Sequence, residues 1–181
     1  VLSFVLCTLI YVPLAMAGDT HDEFSEIASE QIRSRVRAMI DVGVPSQQAL
    51  KMTRMMIQNR FREHSILAAQ QAVIDAAQGT SVTEPIINKA YEGMAKSVSE
   101  DRIVQGMRRV KERYSYAHQM VGDLLPDSGQ VREIGSILAE GLSAGMAEGD
   151  VERTMAKLKQ RTQQMSSSEA GALAGESLLS L

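Results

Sequence analysis

Between residues 103 and 121 the apolar side chains Ile103, Met107, Val110, Tyr114, Ala117 and Val121 step by four and three. That step puts them on one face of a helix, which turns once in about 3.6 residues. Val151, Met155, Leu158, Thr162 and Met165 repeat the pattern further along. No segment alternates apolar and polar residues over a useful length, so none reads as a strand. Pro45, Pro85 and Pro126 fall where helices start or join, as suits a residue without an N–H. Gly43, Gly79 and Gly145 mark helix ends. Ser81 with Glu84, and Ser97 with Glu100, have capping-box spacing, with Thr83 and Ser99 as competing caps.

These signals predict helices near 21–42, 45–78 (bent around 60–65), 84–96, 99–122, 130–144 and 147–165. From Ser166 the chain predicts either a weak helix, opened by Ser166 and Glu169, or a frayed tail over 166–181. The fold class is therefore all-α, with about six helices after a leader segment.

The helical pattern is also repeated. Glu92–Ala117 lies without a gap on Glu140–Met165 at an offset of 48 residues, and Ile86 lies on Ile134. A more distant third copy begins at Gly43-Val44-Pro45-Ser46, which aligns with Ser97-Val98-Ser99-Glu100. A helical hairpin cannot bury its apolar face alone, so each copy serves as a wall for the next. The expected domain, residues 18–165, is a stack of helical hairpins. Either a short α-solenoid-like array or a closed bundle satisfies that pattern. Gly93 and Gly141 occupy the same place in the two copies. Glycine inside a helix costs about 1 kcal/mol relative to alanine, so its recurrence predicts close helix packing there.

Glu92, Gly93, Ala95, Lys96 and Val98, followed by Ile103, resemble a motif of secreted bacterial helical proteins that carry Glu-Gly-x-Ala-Lys-x-Val before an Ile-led helix. The resemblance covers the middle third of the chain. It implies an exported helical protein and brings no activity with it. The second copy keeps only Glu140 and Gly141 of the first four residues.

Residues 1–17 form an uncharged apolar run that ends in Ala15-Met16-Ala17 before Gly18. This small-x-small exit reads as a signal peptide cleaved after Ala17, with an uncleaved membrane anchor as the rival. The expected location is periplasmic or secreted. Cys7 is the single cysteine and lies in this segment, so no disulfide framework is expected beyond it. The 181-residue chain carries a net charge of −3, which gives no electrostatic case for nucleic acid. The membrane is implicated only through the export signal. The chain has no tryptophan and eleven methionines, which predicts an adaptable, Met-rich aliphatic core.

Candidate chemistry is sparse. Arg102, Arg108, Arg109, Lys111 and Arg113 form one basic cluster and Arg33, Arg35 and Arg37 another. Each reads either as an anion-binding patch or as a solvated helix face laced with acids such as Glu30 and Asp101. His21 precedes Asp22 and Glu23, but no HxxxH or HExxH pair exists, so no metal site and no cofactor are expected. His64 follows the Leu50–Ile57–Phe61 face and reads as a half-buried structural histidine. No nucleophile elbow and no phosphate-binding glycine loop is present, so no catalytic residue is assigned. The residues expected to meet a partner are Glu92, Lys96, Arg102, Arg109 and Glu140. The leading function is an exported, non-catalytic module that binds another protein or an envelope component. A periplasmic holdase-like chaperone is the alternative, and an enzyme with an unfamiliar site the third reading.

Overall fold

A computed structural model describes residues 28–125, 129–162 and 165–180. The leader, Cys7, His21 and Pro126 lie outside them, and the helix expected from about residue 21 starts at Glu30, where Ser29 is extended and caps it by accepting from the Ile32 N–H. The described residues form eight α-helices and no strand: α1 (Glu30–Asp41), α2 (Ser46–Gln58), α3 (Glu63–Gly79), α4 (Glu84–Ala95), α5 (Glu100–Leu124), α6 (Val131–Ala144), α7 (Glu148–Thr162) and α8 (Ser167–Leu179).

One link recurs four times. Gly43, Arg60, Ser97 and Gly145 adopt the left-handed conformation, with φ of 95°, 59°, 52° and 110°. The apolar residue after each one donates its N–H to the carbonyl five residues back. The pairs are Val44 to Met39, Phe61 to Met56, Val98 to Gly93 and Met146 to Gly141, all at 3.0 Å. The left-handed residue donates to the carbonyl three back. This is the Schellman closure, in which the apolar residue folds back over the helix it ends. One more residue separates it from the next helix. The expected third copy at Gly43 thus has the same backbone as Ser97 and Gly145, and Arg60 opens a fourth.

Two sequence expectations are corrected here. The helix expected over 45–78 is two helices, because Arg60 turns left-handed and breaks the chain between Gln58 and Glu63. Ser81 and Ser97 do not open capping boxes. Both have positive φ and belong to the end of the preceding helix. The third proposed box does form: Ser166 and Glu169 bond reciprocally at the start of α8. The tail is a packed helix, with Ala170, Ala174 and Leu178 buried.

The odd-numbered helices lie side by side and run parallel. Ser29 at the start of α1 donates to Glu63 at the start of α3 over 2.7 Å. The Arg62 N–H, opening α3, donates to Glu100 at the start of α5 over 2.6 Å. Further along, Lys111 approaches Asp75 to 3.9 Å. Inside, Gln70 of α3 donates to the Ile32 carbonyl of α1 and to Thr53 of α2, a buried polar node that joins three helices. The helices that pack extensively lie next to or one place beyond each other in sequence, so the core grows along the chain as in stacked repeats.

α5 is the spine of this arrangement. Its predicted stripe, Ile103 through Val121, is buried at every position, and it packs on α3, α4, α6 and α7. In the second copy Val151, Met155 and Leu158 are buried, but Met165 is 42% exposed because α7 ends at Thr162. The α4–α5 crossing is tight. A Cβ on Gly93 would lie 2.5 Å from Cγ1 of Ile103. Gly141 has the same place in its own link, but its close neighbour is the mobile end of Met146 at 2.6 Å, not a neighbouring helix as expected.

The two glycines should therefore respond differently. Gly93→Ala must displace a β-branched side chain and should destabilise by about 1–3 kcal/mol. Gly141→Ala should be neutral, or stabilising by up to about 1 kcal/mol, since the Met146 methyl can swing away. Denaturant titrations of the two variants check this contrast. Equal responses would mean that Ile103 does not press on Gly93.

Candidate functional groove

α4 and α6 both rest on α5 but hardly touch each other. The space between them is an open groove. Three depressions join end to end along it, sharing Ser81 and Arg132 at one junction and Pro85, Tyr114 and Glu140 at the other. α4 supplies Glu84, Asn88, Lys89 and Glu92 to one wall. α6 supplies Arg132, Ser136, Glu140 and Ser143 to the other. The floor is α5, with Val110, Arg113, Tyr114 and His118.

Glu92 and Glu140, paired in sequence by the repeat, thus line opposite walls of one groove. Their electrostatics differ. Glu92 accepts from Lys89 at 2.8 Å and from Lys96 at 2.6 Å. Hydrogen bonds from Lys89 and then Lys96 hold its carboxyl at about 2, well below the ordinary 4.5. Glu140 is exposed and, among the described residues, has neither a hydrogen bond nor an ion pair.

The floor is unusual in its unpaired polar atoms. Tyr114 is 4% exposed, but its hydroxyl is not fully buried; it opens on the groove and makes no hydrogen bond with the described residues. Burial, followed by the charge of Glu140, pushes its phenol above the ordinary 10.0. Arg113 is half-buried and its Nε has no partner. His118 packs its ring on Gly135, where a Cβ would lie 2.8 Å away, and its Nε2 is buried without a partner. Burial and then Arg132 lower its pKa below 6.5, so the ring is neutral at neutral pH.

The other expected partner residues do not join the groove. Lys96 caps α4 and is spent on Glu92. Arg102 and Arg109 are exposed on α5 and are not among the residues lining the groove. The basic cluster on α5 is dispersed: Lys111 turns toward Asp75, and Arg113 alone of the cluster enters the groove. Asp101 pairs with Arg62 of α3 at 3.0 Å, not with Arg108. On α1, Arg33 and Arg37 share Glu30 and Arg35 donates to Gln71, so that cluster is a laced helix face. His64 is exposed, not half-buried, because α3 starts afresh at Glu63 and the stripe before it ends at the break.

Sequence reading missed Glu84, Arg113, Tyr114 and Arg132 as groove residues. Tyr114 carried a signal in retrospect, being the one aromatic on the α5 stripe. No three His, Cys, Asp or Glu side chains converge among the described residues. No helix among them is long and apolar enough to cross a membrane. Comparison of the chain with family models, curated proteins and solved structures returns no match.

The pairing around Glu92 has a measurable consequence. A carboxylate with a depressed pKa adds stability above pH 4.5, and this is lost as pH falls toward about 2. A carboxyl carbon NMR titration should place Glu92 near 2, and Lys96→Met should move it upward. A midpoint at 4.5 in the parent protein would mean that the lysines do not hold it.

Proposed function

We propose that the protein is a non-catalytic, exported helical module whose groove between α4 and α6 holds a partner protein. The observation that carries this reading is the missing α4–α6 packing, which leaves a groove whose wall residues Arg132 and Glu140 have no ion-pair partner among the described residues. Charged side chains left unpaired along a groove are suited to meet complementary groups of a second molecule. Export rests on the leader segment and on the resemblance drawn from Glu92 to Ile103. An envelope component other than protein remains the broader form of the same reading.

The chaperone alternative needs a continuous apolar surface. The large hydrophobic residues exposed among the described ones are scattered: Ile40 at 38%, Val98 at 37% and Met165 at 42%. The methionines serve the core instead, with Met39, Met52, Met56 and Met107 fully buried. The enzyme reading needs a nucleophile and base in contact. Ser115 and His118 line the same end of the groove but share no hydrogen bond, and His118 is wedged against Gly135.

Photo-crosslinking in the native envelope tests the reading. A benzophenone side chain at Ser136 or Ser143 should give one discrete adduct, and the same group at Arg109 should give none. Equal yields from all three positions would remove the groove as the binding face.

A further inference from the structure

The groove contains a charge imbalance that the repeat explains. In the first copy Glu92 is neutralised by Lys89 and Lys96. At the 48-residue offset the second copy has Ile137 and Ala144 where the first has these two lysines. Glu140 is therefore the same carboxylate with both of its cations removed. Lys89, Arg113 and Arg132 line the same stretch of groove, but none of them makes an ion pair with it. Glu84 of α4 and Tyr114 of α5 line the same part of the groove. Tyr114 is 4% exposed, and its unbonded hydroxyl remains reachable from the groove. Two carboxylates and a phenolic oxygen thus line one depression, and Arg132, which lines it too, is bound to none of them.

We infer that Glu84, Tyr114 and Glu140 form the seat for a basic side chain, lysine or arginine, of a polypeptide segment lying in the groove. The inference rests on the groove being the binding face and adds the chemistry of its occupant. Charge complementarity carries it. An ammonium or guanidinium at this point gains two anionic partners and a phenolic acceptor, and hydrogen bonds between ionised groups are the stronger kind. The rest of the groove limits what else the segment can carry. Arg113 of the floor and Arg132 of the α6 wall are cationic and have no ion-pair partner among the described residues. A uniformly basic segment would be repelled by them. The occupant therefore carries one basic side chain at Tyr114 and acidic or neutral ones toward Arg113 and Arg132. The repeat has an evident use in this setting: one copy keeps its carboxylate internally paired for packing, and the other leaves it open for binding.

A random-peptide phage library panned on the folded protein supplies the probe. Peptides eluted from the parent protein should be enriched in single lysines or arginines flanked by acidic residues. They should perturb the NMR signals of Tyr114 and Ser136. Glu140→Gln should weaken the selected peptides by about tenfold or more, and Glu140→Lys should redirect selection toward acidic peptides. Glu92→Gln should leave them bound, because that charge is already used internally. Peptides that perturb Tyr114 and Ser136 but bind Glu140→Gln as well as the parent would overturn the cation seat and leave the groove standing. A library in which no peptide reaches Tyr114 or Ser136 would overturn the groove reading, and the seat with it. Binding of spermine but of no peptide would overturn the polypeptide assignment.

Discussion

The burial of one face of α5 is the constraint on which the rest depends. Ile103, Met107, Val110, Tyr114, Ala117 and Val121 form a single apolar line along a 25-residue helix. Helices on either side must cover that line, because burying apolar area is the main favourable term in folding. α3 and α7 cover it within the parallel odd-numbered row, and α4 and α6 cover it from the other row. Since α4 and α6 each seat on α5, they need not seat on each other. The groove follows from that packing without any dedicated loop or insertion.

The second determinant is local. A left-handed residue, an apolar residue and one further residue join helices at four places. Such a link fixes how the chain leaves one helix and enters the next, because the two Schellman hydrogen bonds set the backbone of the turn. Glycine supplies the left-handed residue at Gly43 and Gly145 without steric penalty. Arg60 and Ser97 adopt the same conformation with a side chain, so neighbouring contacts must hold them there. Two residues after Arg60, Arg62 is bound by Glu100 and Asp101 across the row. The tertiary clasp and the strained link reinforce each other.

Much of this was legible in the sequence. The helical period, the repeat offset and the equivalence of Gly43, Ser97 and Gly145 were all visible, because periodicity and register are properties of the chain itself. The break at Arg60 was not. Nothing in the residue types around it demands a left-handed turn, and the clasp that supports it joins Arg62 to residues 38 and 39 positions further along. The groove was half legible. Glu92 and Glu140 were singled out by the repeat, but their place on opposite walls depends on α4 and α6 sharing α5. Tyr114 looked like core because its ring is core; only its hydroxyl belongs to the groove. Arg102 and Arg109 looked functional because charge runs are conspicuous, and burial, which the sequence does not report directly, places them on an open face.

An open groove held by α5 has a direct spectroscopic signature. In a nuclear Overhauser spectrum, the Gly93 α-protons should show cross-peaks to the Ile103 methyls, and the Gly135 α-protons to the His118 ring. Side chains of α4 and α6, such as those of Asn88 and Ser143, should show none to each other. Cross-peaks that join α4 directly to α6 would mean that the two helices close over α5, and would contradict the groove itself.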